Sequence, residues 1–154
     1  MKKKIHKYIY DIKNKKIIGE FDKAYKTIKN LWNDQKDFNS LRCLITSGYI
    51  LSKNKNKKLL DIGCGYGDYV KFLNKNKICK AEGIDISRYA IKKGGSNNKK
   101  LFYGDINHNL NINKKYDYIT LFGIFWFMLK NFKQSYKNIK TLSKQNTLLF
   151  FQIN

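Results

Sequence analysis

The chain has 154 residues, a length suited to one domain with a buried core. Its formal net charge is +21, yet 42% of residues are hydrophobic and 15% aromatic, a balance that excludes a disordered tail. No apolar run approaches the roughly 20 residues of a membrane span, the basic start lacks the apolar stretch of a secretory signal, and three cysteines without metal-type spacing argue against a zinc site or a disulfide framework. The two histidines, His6 and His108, lie far apart. These features point to a reducing, cytoplasmic setting.

The charge carries less information than its size suggests. Of 32 basic residues only Arg42 and Arg88 are arginine, leaving 30 lysines. Proteins that read nucleic acid draw on arginine for bidentate and stacking contacts. Here lysine travels with asparagine and isoleucine, and proline is absent, which reads as compositional drift filling solvated positions. An electrostatic footprint for RNA or DNA and attraction of an anionic substrate are the alternatives.

In chain order, Ile5–Ile18 reads as a hairpin turning near Asn14. Glu20–Asn33 carries Phe21, Ala24, Tyr25, Ile28, Leu31 and Trp32 at helical spacing, and a second helix runs from Asn39 to Ser52 with Leu41, Leu44, Ile45, Tyr49 and Ile50. Residues 1–56 thus form an N-terminal segment ahead of the polar connector "KNKNKK". From 57 to 154 short apolar runs alternate with helical patterns: "KLLDI", "DYVKFLNKN", "KAEGIDI", "SRYAIKK", "KLFYGDI", "YDYITLFG", "FKQSYKNIKTLSK" and "TLLFFQI". That alternation predicts an α/β domain, an open parallel sheet with helices on both faces.

"LLDIGCGYG", Leu59–Gly67, falls at the turn from the first of these strands to its helix. Glycines there let a ligand lie against bare backbone near a helix N-terminus. Position 68 is Asp68, so the G-x-G-x-x-G dinucleotide pattern is broken, and no Walker ending follows. The leading Asp61 suits a ligand with a positively charged group. "GIDIS" puts Asp85 at the tip of the next strand, where a carboxylate can accept from both hydroxyls of a ribose. "FYGDI" puts Asp105 at a third strand end with Ile106 beside it, and "YDYITLFG" ends in Phe122 before an aromatic loop.

In this order and spacing the motifs resemble class I S-adenosylmethionine-dependent methyltransferases, over about Lys57–Asn154. The resemblance implies a Rossmann-like sheet of order 3-2-1-4-5. It places Asp61, Gly63, Cys64 and Gly65 against the methionine part of the cofactor, with S-adenosylhomocysteine as product. Asp85 would hold the ribose, Ile86 and Ile106 would flank adenine, Asp105 would bond its amino group, and Phe122 would sit near the methyl. The upstream helices resemble the N-terminal cap of small-molecule methyltransferases, including sugar and nodulation-type N-methyltransferases. This makes Tyr25, Trp32 and Arg42 substrate candidates; in the aromatic loop Trp126, with Phe127, is either a core or dimer contact or a substrate platform.

Methyl transfer to an oxygen or nitrogen of a small molecule, such as a sugar or cell-surface precursor, is therefore the expected activity. RNA methylation and a non-catalytic cofactor-binding subunit are the alternatives. No N/D-P-P-Y/F follows the fourth strand, which counts against amino-methylation of nucleic acids. No motif assigns a catalytic base, and His108 is the candidate by chemistry alone. The family usually continues beyond its fifth strand with a helix and an antiparallel pair. Ending at "TLLFFQIN", the chain is expected to lack that pair, and its last strand to be covered by a second copy, another subunit or the N-terminal hairpin.

Overall fold

A computed structural model describes residues 7–11, 13–29, 31–32, 40–53, 56–95 and 100–152. Ile5, His6, Asn33 and Asn39, used in the sequence reading, lie outside the described residues. Strands β1 (Tyr10–Asp11) and β2 (Lys16–Ile17) pair antiparallel around a turn in which Asp11 accepts from the backbone and side chain of Asn14. Helices α1 (Phe21–Thr27) and α2 (Leu41–Leu51) follow.

The remainder runs β3 (Lys58–Ile62), α3 (Asp68–Lys75), β4 (Lys80–Asp85), α4 (Arg88–Gly95), β5 (Leu101–Tyr103), β6 (Tyr116–Phe122), α5 (Phe125–Met128), a 3-10 turn (Leu129–Asn131), α6 (Phe132–Leu142) and β7 (Ser143–Gln152). The sheet order is β5-β4-β3-β6-β7 with every pairing parallel, which is 3-2-1-4-5 counted along the chain. The fold is the expected Rossmann-like one.

Two cores flank the sheet because its central strands are apolar on both faces. On one face α2 and α3 bring Ile50, Val70 and Leu73 onto Leu59, Ala81 and Tyr118. On the other α6 brings Ile139 and Leu142 onto Leu60, Ile84 and Ile119. Each fully buried leucine stabilises by about 2 kcal/mol. Between β5 and β6 a loop takes the place of a helix, and its Leu110 and Ile112 cover the second core. Among the described residues no helix is long and apolar enough to cross a membrane.

Four expectations change. The first helix ends at Thr27, where consecutive β-branched residues stop it. Ile28 turns extended, and Trp32 Nε1 reaches back to donate to Tyr25 Oη at 2.9 Å. The aromatic stretch after Phe122 is α5 and a 3-10 turn rather than a loop. Asn107 and Asn138, in a composition read as solvated filler, are each only 6% exposed. Finally, among the described residues the N-terminal hairpin does not pair with β7, because it forms its own two-stranded sheet and its Ile17 lines the cavity at the strand ends instead.

Candidate functional site

The C-terminal ends of β3, β4, β5 and β6 open into a cavity of about 340 Å³, roofed by Ile17, Ile18, Gly19 and Phe21 from the N-terminal segment. That size falls within the range of small-ligand sites, and the position is the usual one in an open α/β sheet.

The floor is the glycine loop. Gly63, Gly65 and Gly67 all have positive φ, at 81°, 54° and 72°. Space matters as much as dihedral at Gly63, where a Cβ would stand 2.4 Å from Ile124 Cγ2. Asp85 holds the loop in place: its Oδ2 accepts from the backbone N–H of Gly65 at 2.8 Å and its Oδ1 from that of Ser87 at 2.7 Å. Burial raises the Asp85 carboxyl to about 6 despite these two donors, and the charge on Asp22 pushes the same way. Asp61, buried beside it, accepts from Thr120 Oγ1 of β6 at 2.6 Å.

Cys64 faces down from this loop onto β4, where a Cβ on Gly83 would stand 2.7 Å from its Sγ. Burial pushes its thiol well above the ordinary cysteine range, and Asp85 and Asp61 add to the shift. It is therefore a packed thiol, and only the loop backbone around it is placed to meet a ligand.

The third acid sits in a polar web. Asp105 Oδ1 accepts from the backbone and side-chain nitrogens of Asn107 at 2.9 and 3.2 Å, and its Oδ2 lies 2.8 Å from His108 Nδ1. Asn107 also accepts from Asn131 N and Ser135 Oγ, while Asn138 donates to the carbonyls of Ile106 and His108 at 2.8 and 2.6 Å. These side chains give the loop after β5 a fixed shape without a helix.

The N-terminal segment is tied to the core by Asp22, whose Oδ1 accepts from Ser87 Oγ at 2.6 Å and from the N–H of Tyr89 at 3.0 Å, at the start of α4. Burial alone would raise its pKa. The donors Ser87 and Tyr89, with Lys26 and Arg88 nearby, hold it below the usual carboxylate value. On the opposite wall Arg42 Nη1 donates to Gln152 Oε1 at 2.6 Å, and its guanidinium lies 5.5 Å from the Phe122 ring centroid.

All nine residues expected around the cofactor, from Asp61 to Phe122, lie on the wall of this cavity, as do Tyr25, Trp32 and Arg42. His108 and Trp126 do not. His108 is exposed beyond Asp105, and Trp126 is 53% exposed because α5 turns its neighbour Phe127 inward. Sequence reasoning missed Tyr66, Tyr69, Ile124 and Lys130, which also line the wall, as does Phe127, the neighbour of Trp126. Tyr66 occupied a variable slot of the glycine motif and was legible as a wall residue; Lys130 carried no signal among 30 lysines.

Sheet order, glycine turn and strand-end acids together define a Rossmann-like methyltransferase fold. Residues 36–153 match the family described as a methyltransferase domain, and the chain belongs to it. No curated protein matches the sequence. Among solved structures, the chain is similar to the N-methyltransferase NodS from Bradyrhizobium japonicum WM9 in complex with S-adenosylhomocysteine (17% identity, TM-score 0.61, covering 81% of this chain and 67% of that one). It is similar to the plantazolicin methyltransferase BpumL, solved with a pentazolic desmethylPZN analog and S-adenosylhomocysteine (25%, TM-score 0.60, 79% and 49%). A third likeness is to the sugar N-methyltransferase KedS8 from Streptoalloteichus sp ATCC 53650 (14%, TM-score 0.61, 77% and 49%). The chain spans about half the length of the latter two. S-adenosylmethionine, the cofactor expected from the motifs, agrees with the product complexes of two of these relatives.

Proposed function

We propose that the chain transfers a methyl group from S-adenosylmethionine to an oxygen or nitrogen of a small molecule, in the manner of a sugar or cell-surface precursor. One observation carries this reading: Asp61, Asp85 and Asp105, from three strand ends, share one roofed cavity with the glycine loop. Bound there, the cofactor would supply a methyl group already activated on a sulfonium. Asp61 suits its ammonium, Asp85 its ribose hydroxyls and Asp105 its adenine amine, with Ile86 and Ile106 against the base. Phe21, Phe122 and Phe127 exclude water and, with Tyr25 and Trp32, shape the space left for an acceptor.

The chain's task is then mainly alignment of a nucleophile with the methyl. Burial keeps the Tyr69 hydroxyl and the Cys64 thiol protonated, so neither wall residue takes a proton from the acceptor.

Calorimetry with S-adenosylhomocysteine tests the premise. The wild-type chain should bind, and Asp85→Ala should weaken binding at least tenfold, about 1.4 kcal/mol. Absence of binding, or equal binding by the variant, would remove the basis of the assignment.

A second reading, methylation of RNA, draws on a groove of about 1070 Å³ between α1, α3 and α4, lined by Lys26, Lys71, Lys75, Lys93 and Tyr89 and sharing Tyr66 with the cavity. Steep salt dependence of RNA binding, several counterions released per complex, would favour it.

A further inference from the structure

Four carboxylates, Asp61, Asp68, Asp85 and Asp105, line the cavity. A ligand that brings its own carboxylate is repelled by each of them unless a cation is placed to receive it. Among the described residues the wall holds two cations, Arg42 and Lys130. They lie at different ends. Lys130 precedes Asn131, whose N–H donates to Asn107 Oδ1 at 3.0 Å, and Asn107 in turn donates to Asp105. That is the end assigned to adenine, which carries no carboxylate.

Arg42 stands at the end that holds Asp61. Its guanidinium is 5.5 Å from the Phe122 ring centroid, and the Phe122 ring is 6.1 Å from that of Tyr69. Phe122 lies two residues beyond Thr120 on β6, so both side chains leave the same face of the strand, and the Thr120 hydroxyl donates to Asp61. Tyr69 Oη donates to the carbonyl of Cys43 at 3.4 Å, which holds the first turn of α2, and Arg42 with it, against this end of the cavity.

The residue type matters as much as the place. Of 32 basic residues only two are arginine, and both guanidiniums lie over aromatic rings, Arg42 over Phe122 and Arg88 over Tyr103. A planar guanidinium can meet a carboxylate with two parallel N–H donors, which an ammonium cannot do. Arg42 gives Nη1 to Gln152 Oε1 at 2.6 Å. That partner is a neutral amide, so it orients the guanidinium without cancelling its charge.

We propose that Arg42 is a carboxylate clamp and that the carboxylate it takes is the cofactor's own, which rests on the methyl-transfer reading above. In S-adenosylmethionine one carbon bears both the ammonium and the carboxylate. A group that meets the carboxylate must therefore lie beside the group that meets the ammonium. Asp61 and Arg42 supply that pair of opposite charges at one end of the cavity and leave Asp85 and Asp105 for the nucleoside. Arg42 thereby moves from the acceptor to the cofactor.

Calorimetry on the full chain tests this with two ligands, S-adenosylhomocysteine and its decarboxylated analogue, which keeps the amine. For the wild-type chain, loss of the ligand's carboxylate should weaken binding at least about tenfold. Arg42→Gln should weaken S-adenosylhomocysteine by a similar factor and change the affinity for the analogue by less than about threefold. The analogue also reports whether the variant's site is folded. Arg42→Lys should keep part of the affinity for S-adenosylhomocysteine, because the charge stays and the planar fork goes. A wild-type chain that binds neither ligand would remove the methyl-transfer reading itself. Three results overturn the clamp alone. The wild type could bind both ligands equally. Arg42→Gln could bind S-adenosylhomocysteine as the wild type does, which would leave the guanidinium to a carboxylate on the acceptor. Or it could weaken both ligands alike, the mark of a brace between Phe122 and β7.

Discussion

Asp85, at the tip of the second sheet strand, accepts the backbone N–H of Gly65 at 2.8 Å. The acid assigned to a ribose by its position is thus also the residue that holds the glycine loop of the neighbouring strand in shape. Two variants separate these roles. Asp85→Ala leaves the N–H groups of Gly65 and Ser87 without their acceptor and should cost roughly 2–4 kcal/mol in chemical denaturation. Asp85→Asn keeps one carbonyl oxygen and should cost less than half of that. Equal losses would show that the loop does not depend on the carboxylate.

The same group makes stability and binding respond to pH in opposite directions. The folded-state pKa of Asp85 is about 6, above the ordinary carboxylate value, so the folded chain binds this proton more tightly than the unfolded one. The contribution of Asp85 to stability is therefore fully present below about pH 4 and is lost as pH rises through 6, by about 3 kcal/mol at most. Wild type compared with Asp85→Asn by urea denaturation at pH 4.5 and 7 reads this difference. Cofactor affinity should rise over the same interval, because ribose hydroxyls donate best to the ionised carboxylate.

Asp22 behaves the other way. Its pKa is held below the usual value, so its contribution is present above about pH 4 and is lost as pH falls through the folded pKa. Asp22→Ala removes the acceptor for Ser87 Oγ and for the N–H of Tyr89 at the start of α4. We expect a cost of about 1–2 kcal/mol and faster proteolysis within residues 13–29. An unchanged cleavage pattern would mean that other contacts hold the segment.

Two adjacent glycines at the end of α4 should respond oppositely to alanine. At Gly94 a Cβ would lie 2.2 Å from the carbonyl oxygen of Tyr66, a backbone atom of the glycine loop. At Gly95 the nearest atom is Leu101 Cβ at 3.9 Å. Gly94→Ala should destabilise by about 1–3 kcal/mol and weaken S-adenosylhomocysteine binding. Gly95→Ala should be neutral or stabilise by up to about 1 kcal/mol. Thermal melts of the two variants settle the order.

The sheet and its acids were legible because a buried parallel strand is an apolar run, and its C-terminal tip must be polar to meet a ligand. "KLLDI", "EGIDI" and "FYGDI" each obey that rule. The orientation of α2 was not legible. Leu41, Leu44, Ile45 and Tyr49 announce a helix by their period, but period alone does not say which side faces the core. The inward side is made of small residues, with Ser47 Oγ 3.1 Å from Tyr69 Oη, and that packing depends on a tyrosine 22 positions away. Asn107 and Asn138 were hidden for a different reason. Their buried hydrogen bonds replace a helix between β5 and β6, and an asparagine-rich composition masks residues of that kind.

The roof over the cavity also has a mechanical meaning. Ile17, Ile18, Gly19 and Phe21 lie across the strand ends, and the segment bearing them is fastened to α4 through Asp22. Lifting this strap would break the two hydrogen bonds that Asp22 accepts, so any movement of the roof is coupled to the start of α4.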